Sequence, residues 1–176
     1  KNIGLSINFV FSNTSFIEVN LDGIDAFYIL GKNAPGCDID PDTSTYILNN
    51  IGNFIAKFDS AGHFLWVNQY NNINPNYTAI NTNGEVYCIG YFLGTVDFDA
   101  DTATYFKTAV GNIDIFMLKL SANGVLDWVK TIGSAQDDLG LYIQLQNDQS
   151  IIISGVFSEN INFGDTFNPI ILSSQG

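Results

Sequence analysis

The chain has 176 residues with six Lys, no Arg, eighteen Asp plus Glu and a formal net charge of −12, and 46% of its residues are hydrophobic. That apolar content excludes disorder. A pI near 4.1 without clustered cations excludes phosphate-backbone contacts to nucleic acid and docking on an anionic membrane surface. No run approaches the ~20 consecutive apolar residues of a membrane-spanning helix. The start carries neither Met nor a basic-then-apolar leader, so the chain reads as a mature or trimmed segment.

The elements expected along the chain are short strands between Asn/Asp-Gly turns. Ile7-Asn8-Phe9-Val10 resembles Leu126-Asp127-Trp128-Val129, with Phe9 in the Trp position. Turns follow at Asn20-Leu21-Asp22-Gly23, Asp59-Ser60-Ala61-Gly62, Asn81-Thr82-Asn83-Gly84 and Ser121-Ala122-Asn123-Gly124, where Asn and Gly tolerate the positive φ of tight hairpins. Residues 86–92, 94–98, 114–120 and 126–132 read as strands rich in β-branched and aromatic residues. Ile151-Ile152-Ile153 is apolar on both faces, which suits a strand held between neighbouring sheets. No window sustains a helical period.

These elements repeat. Residues 27–53 lie over 86–112 at a shift of 59, with identities at Tyr28/Tyr87, Gly31/Gly90, Asp38/Asp97, Asp40/Asp99, Asp42/Asp101, Thr43/Thr102, Thr45/Thr104, Tyr46/Tyr105, Gly52/Gly111 and Asn53/Asn112. Three further residues make the shift 62 and add Phe54/Phe116, Lys57/Lys119, Gly62/Gly124, Trp66/Trp128 and Val67/Val129. A third copy starts at a shift of 65: Ile89-Gly90-Tyr91-Phe92 meets Ser154-Gly155-Val156-Phe157, and Val96-Asp97-Phe98 meets Ile161-Asn162-Phe163. Gly176 falls on Gly111, before the half that carries Lys and Trp. An all-β repeat with about four strands per unit has the make-up of a propeller blade.

The stretch Asp114-Ile115-Phe116-Met117-Leu118-Lys119-Leu120, followed by Asn123-Gly124 and Trp128-Val129-Lys130, resembles the bacterial β-propeller repeats known as SBBP. So does Gly84-Glu85-Val86-Tyr87-Cys88-Ile89-Gly90-Tyr91-Phe92, followed by Gly94-Thr95-Val96-Asp97-Phe98-Asp99. The resemblance implies a secreted or cell-surface bacterial protein with a binding, adhesion or scaffolding role and no established reaction. Such proteins frequently end in a sorting domain, which is not visible here. The first copy departs from the pattern at Ala34-Pro35-Gly36-Cys37 and lacks the Asp-Ile pair before Phe54, and the third has Asn162 and Gly164 where Asp97 and Asp99 stand.

The chemically suggestive residues are few, since one His, two Cys and no Arg leave few parts for a triad, a zinc centre or phosphoryl transfer. Asp38-x-Asp40-x-Asp42 and Asp97-x-Asp99-x-Asp101 place three carboxylates on alternate residues, and calcium favours such hard oxygen clusters. The same spacing serves a solvated strand face or turns that bind their own backbone, and the Gly and Glu of an EF-hand loop are missing. Cys37 and Cys88 could bridge adjacent blades in an oxidising compartment; within a strand, Cys88 also suits the core as a small hydrophobe. Trp66 and Trp128 recur at one repeat position, which marks packing residues. Tyr70, Tyr77, Tyr91 and Phe92 do not recur and are the candidate ligand-stacking aromatics. His63 is expected in an exposed turn, and Asp137-Asp138 as a turn cap. Asn13-Thr14-Ser15 and Asn76-Tyr77-Thr78 match a glycosylation sequon that has little weight in a bacterial protein.

The expectation is an all-β partial propeller: a partial blade at 1–20, blades at 21–78 and 79–141, and a partial blade at 142–176. Three blade equivalents fall short of the four to eight of closed propellers, so further blades of a larger chain or a second copy are expected to complete it. The expected role is non-enzymatic binding, adhesion or scaffolding toward a protein or carbohydrate ligand, without nucleic acid, membrane insertion or a required cofactor, calcium excepted. The alternatives are a glycan-processing propeller enzyme with channel carboxylates such as Asp38, Asp97 and Asp99, and a purely structural spacer.

Overall fold

The computed structural model describes residues 13–42, 44–101, 103–148, 150–164 and 170–174. The expected partial blade before residue 13, the Phe9 match and Gly176 lie outside them. The described chain is all-β. Its first sheet is formed by β1 (Thr14–Leu21), β2 (Ala26–Asn33), β5 (Gly52–Asp59) and β6 (Phe64–Tyr70), antiparallel in that order. A two-stranded ribbon, β3 (Cys37–Asp38) with β4 (Ile47–Leu48), folds out between β2 and β5. The second sheet repeats the meander with β7 (Ile73–Ile80), β8 (Val86–Asp97), β9 (Phe106–Leu120) and β10 (Leu126–Ile132). Then come β11 (Leu139–Leu145) paired with β12 (Ile151–Val156), and β13 (Asn160–Asn162) paired with β14 (Ile171–Ser173).

The four-stranded sheets occupy 14–70 and 73–132, so each begins ahead of the expected limits at 21 and 79. Sequence identity leaves the phase of a repeat open; hydrogen bonding sets it, and it places β1 and β7 before the Gly turns. The runs 86–92 and 94–98 are one strand, β8, with Gly94 at φ +62° where its pairing shifts. Opposite Gly94, residues 109–112 drop out of the ladder between Thr108 and Ile113. The three extra residues of the second unit are therefore absorbed there. Gly52 faces Asn33 as Asp114 faces Phe92, and Asn53 faces Tyr70 as Ile115 faces Ile132. The identities Gly52/Gly111 and Asn53/Asn112 are thus coincidences of letter, not of position.

The central strands β2, β5 and β8 and the second half of β9 carry buried side chains on both faces, as in a sandwiched sheet. Tyr28, Leu30 and Ile55 of the first sheet pack against Val86, Cys88, Phe116 and Leu118 of the second. The corresponding positions Tyr87, Ile89 and Met117 pack against Ile151, Ile153, Ile161 and Phe163 of the third unit. Phe27, Ile29, Phe54, Ala56 and Phe58 form a further core under the β3–β4 ribbon. One packing relation is used twice.

The recurring glycine has a steric cause. In all three units the register slips on the first strand, between Phe16 and Glu18, Pro75 and Tyr77, and Gly140 and Tyr142. This bulge drives a carbonyl of the first strand onto the glycine opposite. A Cβ on Gly31 would lie 3.0 Å from the Ser15 oxygen, on Gly90 2.1 Å from that of Asn74, and on Gly155 2.4 Å from that of Leu139. Only glycine allows that approach.

Gly90→Ala is expected to lose about 1–3 kcal/mol, the usual range for overpacking. Gly94→Ala, in open space, should lose only the ~1 kcal/mol of its left-handed φ. Urea denaturation measures both, and equal losses would contradict the steric account.

Candidate functional site

The acidic stretches build their own loops. Asp38 Oδ1 accepts the N–H groups of Asp40 and Tyr46 at 3.1 and 2.8 Å, and Asp97 Oδ1 those of Asp99 and Tyr105 at 3.1 and 2.7 Å. Asp40 and Asp99 accept the N–H groups of Asp42 and Asp101, each at 3.0 Å. In the third unit the amide oxygen of Asn162 accepts from Gly164 and Ile170, each at 2.9 Å. A neutral acceptor thus does the same work as Asp38 and Asp97, which is the behaviour of a side chain closing a turn on its own backbone. Among the described residues no group of three or more Asp, Glu, His or Cys side chains could hold a metal ion.

Cys37 and Cys88 are free, and both are buried. Cys37 occupies the position of Val96 and Ile161, and Cys88 that of Ile29 and Ile153, all core residues. Burial holds both thiols above the ordinary value, and the Asp38 charge adds to this at Cys37. They serve as small hydrophobes.

Trp66 belongs to the join between sheets. Its Nε1 and the Lys57 Nζ both donate to the Ala122 carbonyl at 3.1 Å, the Tyr28 hydroxyl donates to Gly84 at 3.0 Å, and Asn68 Nδ2 donates to Gly124 at 2.6 Å. Gly124 is the only residue type that fits beneath the indole, since a Cβ would lie 2.9 Å from it. Tyr28 meets Trp66 edge-on at 6.2 Å with Lys57 over its ring, and Tyr87, Trp128 and Lys119 repeat the arrangement at 6.2 Å. In the second copy Lys119 is held by Glu85 and Asp127, at 2.6 and 3.1 Å, in place of a following turn. The Glu85 contact raises the Lys119 pKa above its usual value.

Of the candidate stacking aromatics, Tyr70 and Phe92 are buried in the core between the first two sheets and present no ring face to solvent. Tyr77 and Tyr91 are half-buried. Tyr77 packs on Tyr142 with ring centroids 4.4 Å apart. The position two residues beyond Phe16 on β1 is Glu18, which corresponds to Tyr77 on β7 and Tyr142 on β11. Glu18 accepts the N–H and hydroxyl of Thr78, both at 2.8 Å, and its charge raises the Tyr77 pKa, after burial. This carboxylate on a first strand drew no notice in the sequence because its repeat counterparts are tyrosines. Asp138 accepts the N–H groups of Ser134 and Ser158 at 2.6 and 2.9 Å, as expected of a cap.

The described surface also contains an open cleft of about 830 Å³ where the first and second sheets meet. Seven of its lining residues are Asn: Asn13, Asn33, Asn50, Asn53, Asn71, Asn72 and Asn74; Lys32 supplies a charge and Ile51 and Leu93 apolar patches. Asn33 and Asn53 are buried. Asn33 Nδ2 donates to the Asn50 carbonyl at 2.8 Å and its Oδ1 accepts from Gln69 Nε2 at 2.9 Å. Asn53 Nδ2 donates to the Ile73 carbonyl at 2.5 Å, while Asn53 Oδ1 and the Tyr70 hydroxyl on the facing strand have no hydrogen-bond partner among the described residues. The Asn-rich segments 49–53 and 71–74 carried the signal, but nothing in their spacing joins them.

No protein-family model matches the chain, and no curated protein matches it. No helix among the described residues is long and apolar enough to cross a membrane.

If the acidic loops are turns, Asp97→Asn keeps the stability of the parent while Asp97→Ala loses about 1 kcal/mol in urea unfolding, and millimolar calcium leaves the melting temperature unchanged. A calcium-dependent rise would instead assign the loops to the ion. His63, in the turn as expected, has Nδ1 2.9 Å from Asp59 Oδ2, and this hydrogen bond raises its pKa, with the Asp59 and Asp42 charges adding. A raised folded value makes the pair's contribution complete below the ordinary imidazole value of about 6.5, and it is lost as pH rises through the folded value. Asp59→Asn should lower the His63 midpoint in an NMR titration.

Proposed function

We propose that the chain is a run of SBBP-type β-propeller blades acting as a non-enzymatic, secreted or cell-surface module for binding, adhesion or scaffolding. One observation carries this reading: the side chains that recur in the repeat are already engaged inside the fold, in the join between the first two sheets or in their own turns. Tyr28, Lys57 and Trp66 are engaged by the turns of the second sheet, and Asp38 and Asp97 by their own loops. The first strands also support blades around a common axis, because β1 touches β7 and β7 touches β11 while the sheets stack in chain order.

The glycan-processing alternative placed Asp38, Asp97 and Asp99 at a central channel. It is disfavoured, because Asp38 and Asp97 end β3 and β8, Asp99 follows in the loop, and all three already accept backbone hydrogen bonds. In the third unit β12 pairs with β11 alone among the described strands, and Ile152 and Val156 are 51% and 56% exposed. This edge is where further blades or a second copy would add strands, as β5 does to β2 and β9 to β8.

Incubation with a glycan library followed by product analysis is expected to show no turnover. Release of a cleaved product would overturn the non-enzymatic reading.

A further inference from the structure

We propose that the Asn-lined cleft between the first and second sheets is a binding site for a neutral saccharide, an inference that rests on reading the chain as a binding module. The two junctions between successive sheets are built on one plan, so the places where they differ are informative. At the second junction the facing pair at the end of the third and fourth strands is Ile115 with Ile132, packed in the core. At the first it is Asn53 with Tyr70, equally buried, and each leaves a polar atom without a partner. Asn53 Nδ2 joins the sheets through the Ile73 carbonyl and the Tyr70 ring packs in their shared core, but the buried amide oxygen and hydroxyl left unmatched cost stability that an apolar pair avoids.

The neighbouring positions change in the same sense. Asp114 faces Phe92 in the second sheet, and its carboxylate accepts the N–H groups of Val110 and Gly111 at 2.8 and 3.1 Å. Its counterpart in the first sheet is Gly52, facing Asn33. The connection between fourth and first strands is six residues long at the second junction, 133–138, and two at the first, Asn71 and Asn72. The longer loop closes its junction so tightly that a Cβ on Gly111 would lie 2.3 Å from the Gln136 oxygen, and one on Gly133 2.1 Å from the Asp114 carboxyl carbon. The shorter one leaves the cleft open.

The lining selects the ligand class. A primary amide offers an acceptor and donors side by side, matching the paired donor and acceptor roles of vicinal hydroxyls. Asn13, Asn50, Asn71 and Asn72 are exposed, and Asn74 half-buried, at the cleft. No carboxylate stands among the described lining residues to attract a cation, and Lys32 alone does not make a cradle for a multiply charged anion. Ile51 and Leu93, 73% and 40% exposed, provide surface for the C–H faces of a sugar ring. An extended peptide would seek pockets for its side chains; the remaining apolar groups are Ala34, a single methyl, and Ile73, only 1% exposed.

The test is an array of neutral oligosaccharides probed with the full chain, followed by calorimetric titration of the best binder. Neutral-glycan binding is expected, weakened about tenfold by Asn50→Ala with Asn71→Ala at an unchanged melting temperature. Asn53→Ile, which takes the buried amide out of the lining, should abolish binding; it also removes the bond to the Ile73 carbonyl, so the melting temperature is read beside it. No neutral glycan bound, binding indifferent to Asn50→Ala with Asn71→Ala, or capture of charged glycans or extended peptides alone would each overturn the site. Glycan bound elsewhere leaves the binding-module reading standing, whereas turnover at the cleft removes that reading and keeps the site.

Discussion

The structure depends on burying both faces of its central strands. A four-stranded meander with apolar residues on alternate positions of both faces has no stable life in water alone, because one face stays wet until a neighbour covers it. The first and second sheets therefore share the core around Tyr28, Cys88 and Phe116, and the second and third that around Ile89, Ile115 and Ile153. β2, β5 and β8 therefore carry buried residues on both faces, where a sheet with one solvated side would alternate.

Two devices make the stacking specific, since apolar faces alone would slide. The first is the slip on each first strand over Gly31, Gly90 and Gly155, which fixes the register of β1, β7 and β11 against their partners. The second is polar. Tyr28, Lys57 and Trp66 reach the carbonyls of Gly84 and Ala122, so the turns of one sheet are gripped by side chains of the one before. An edge-on aromatic contact is worth about 0.5–1.5 kcal/mol beyond its buried area, and the hydrogen bonds add direction to it. Repeats of this kind gain stability through nearest neighbours. Recurring side chains are therefore spent on joints and turns, and the positions that break the repeat are not bound by that requirement.

Those positions cluster at the first junction. Gly52, Asn53, Tyr70, Asn71 and Asn72 stand where the second junction has Asp114, Ile115, Ile132 and a six-residue loop. The exchange substitutes amides and open space for packed aliphatics and a capped bulge. It weakens a core to shape a surface, a pattern common at functional sites.

The fold class was legible because its signals are local: period-two alternation, Asn/Asp-Gly turns and a repeat near sixty residues all act within a few neighbours. The role of Trp66 as a packing residue was also legible, because its recurrence has a simple packing cause. The acidic loops were legible only as a choice, since carboxylates on alternate residues suit a cation and a turn equally, and Asn162 shows which chemistry the backbone requires. The cleft was hidden by the letters themselves. Gly52 and Asn53 align with Gly111 and Asn112, yet four residues that leave the ladder opposite Gly94 move the true counterparts to Asp114 and Ile115. Composition and periodicity settle which residues must be buried and which must turn. Which strands face each other, and hence which asparagines meet around one open space, is a matter of register and loop length, and those are decided by long-range pairing.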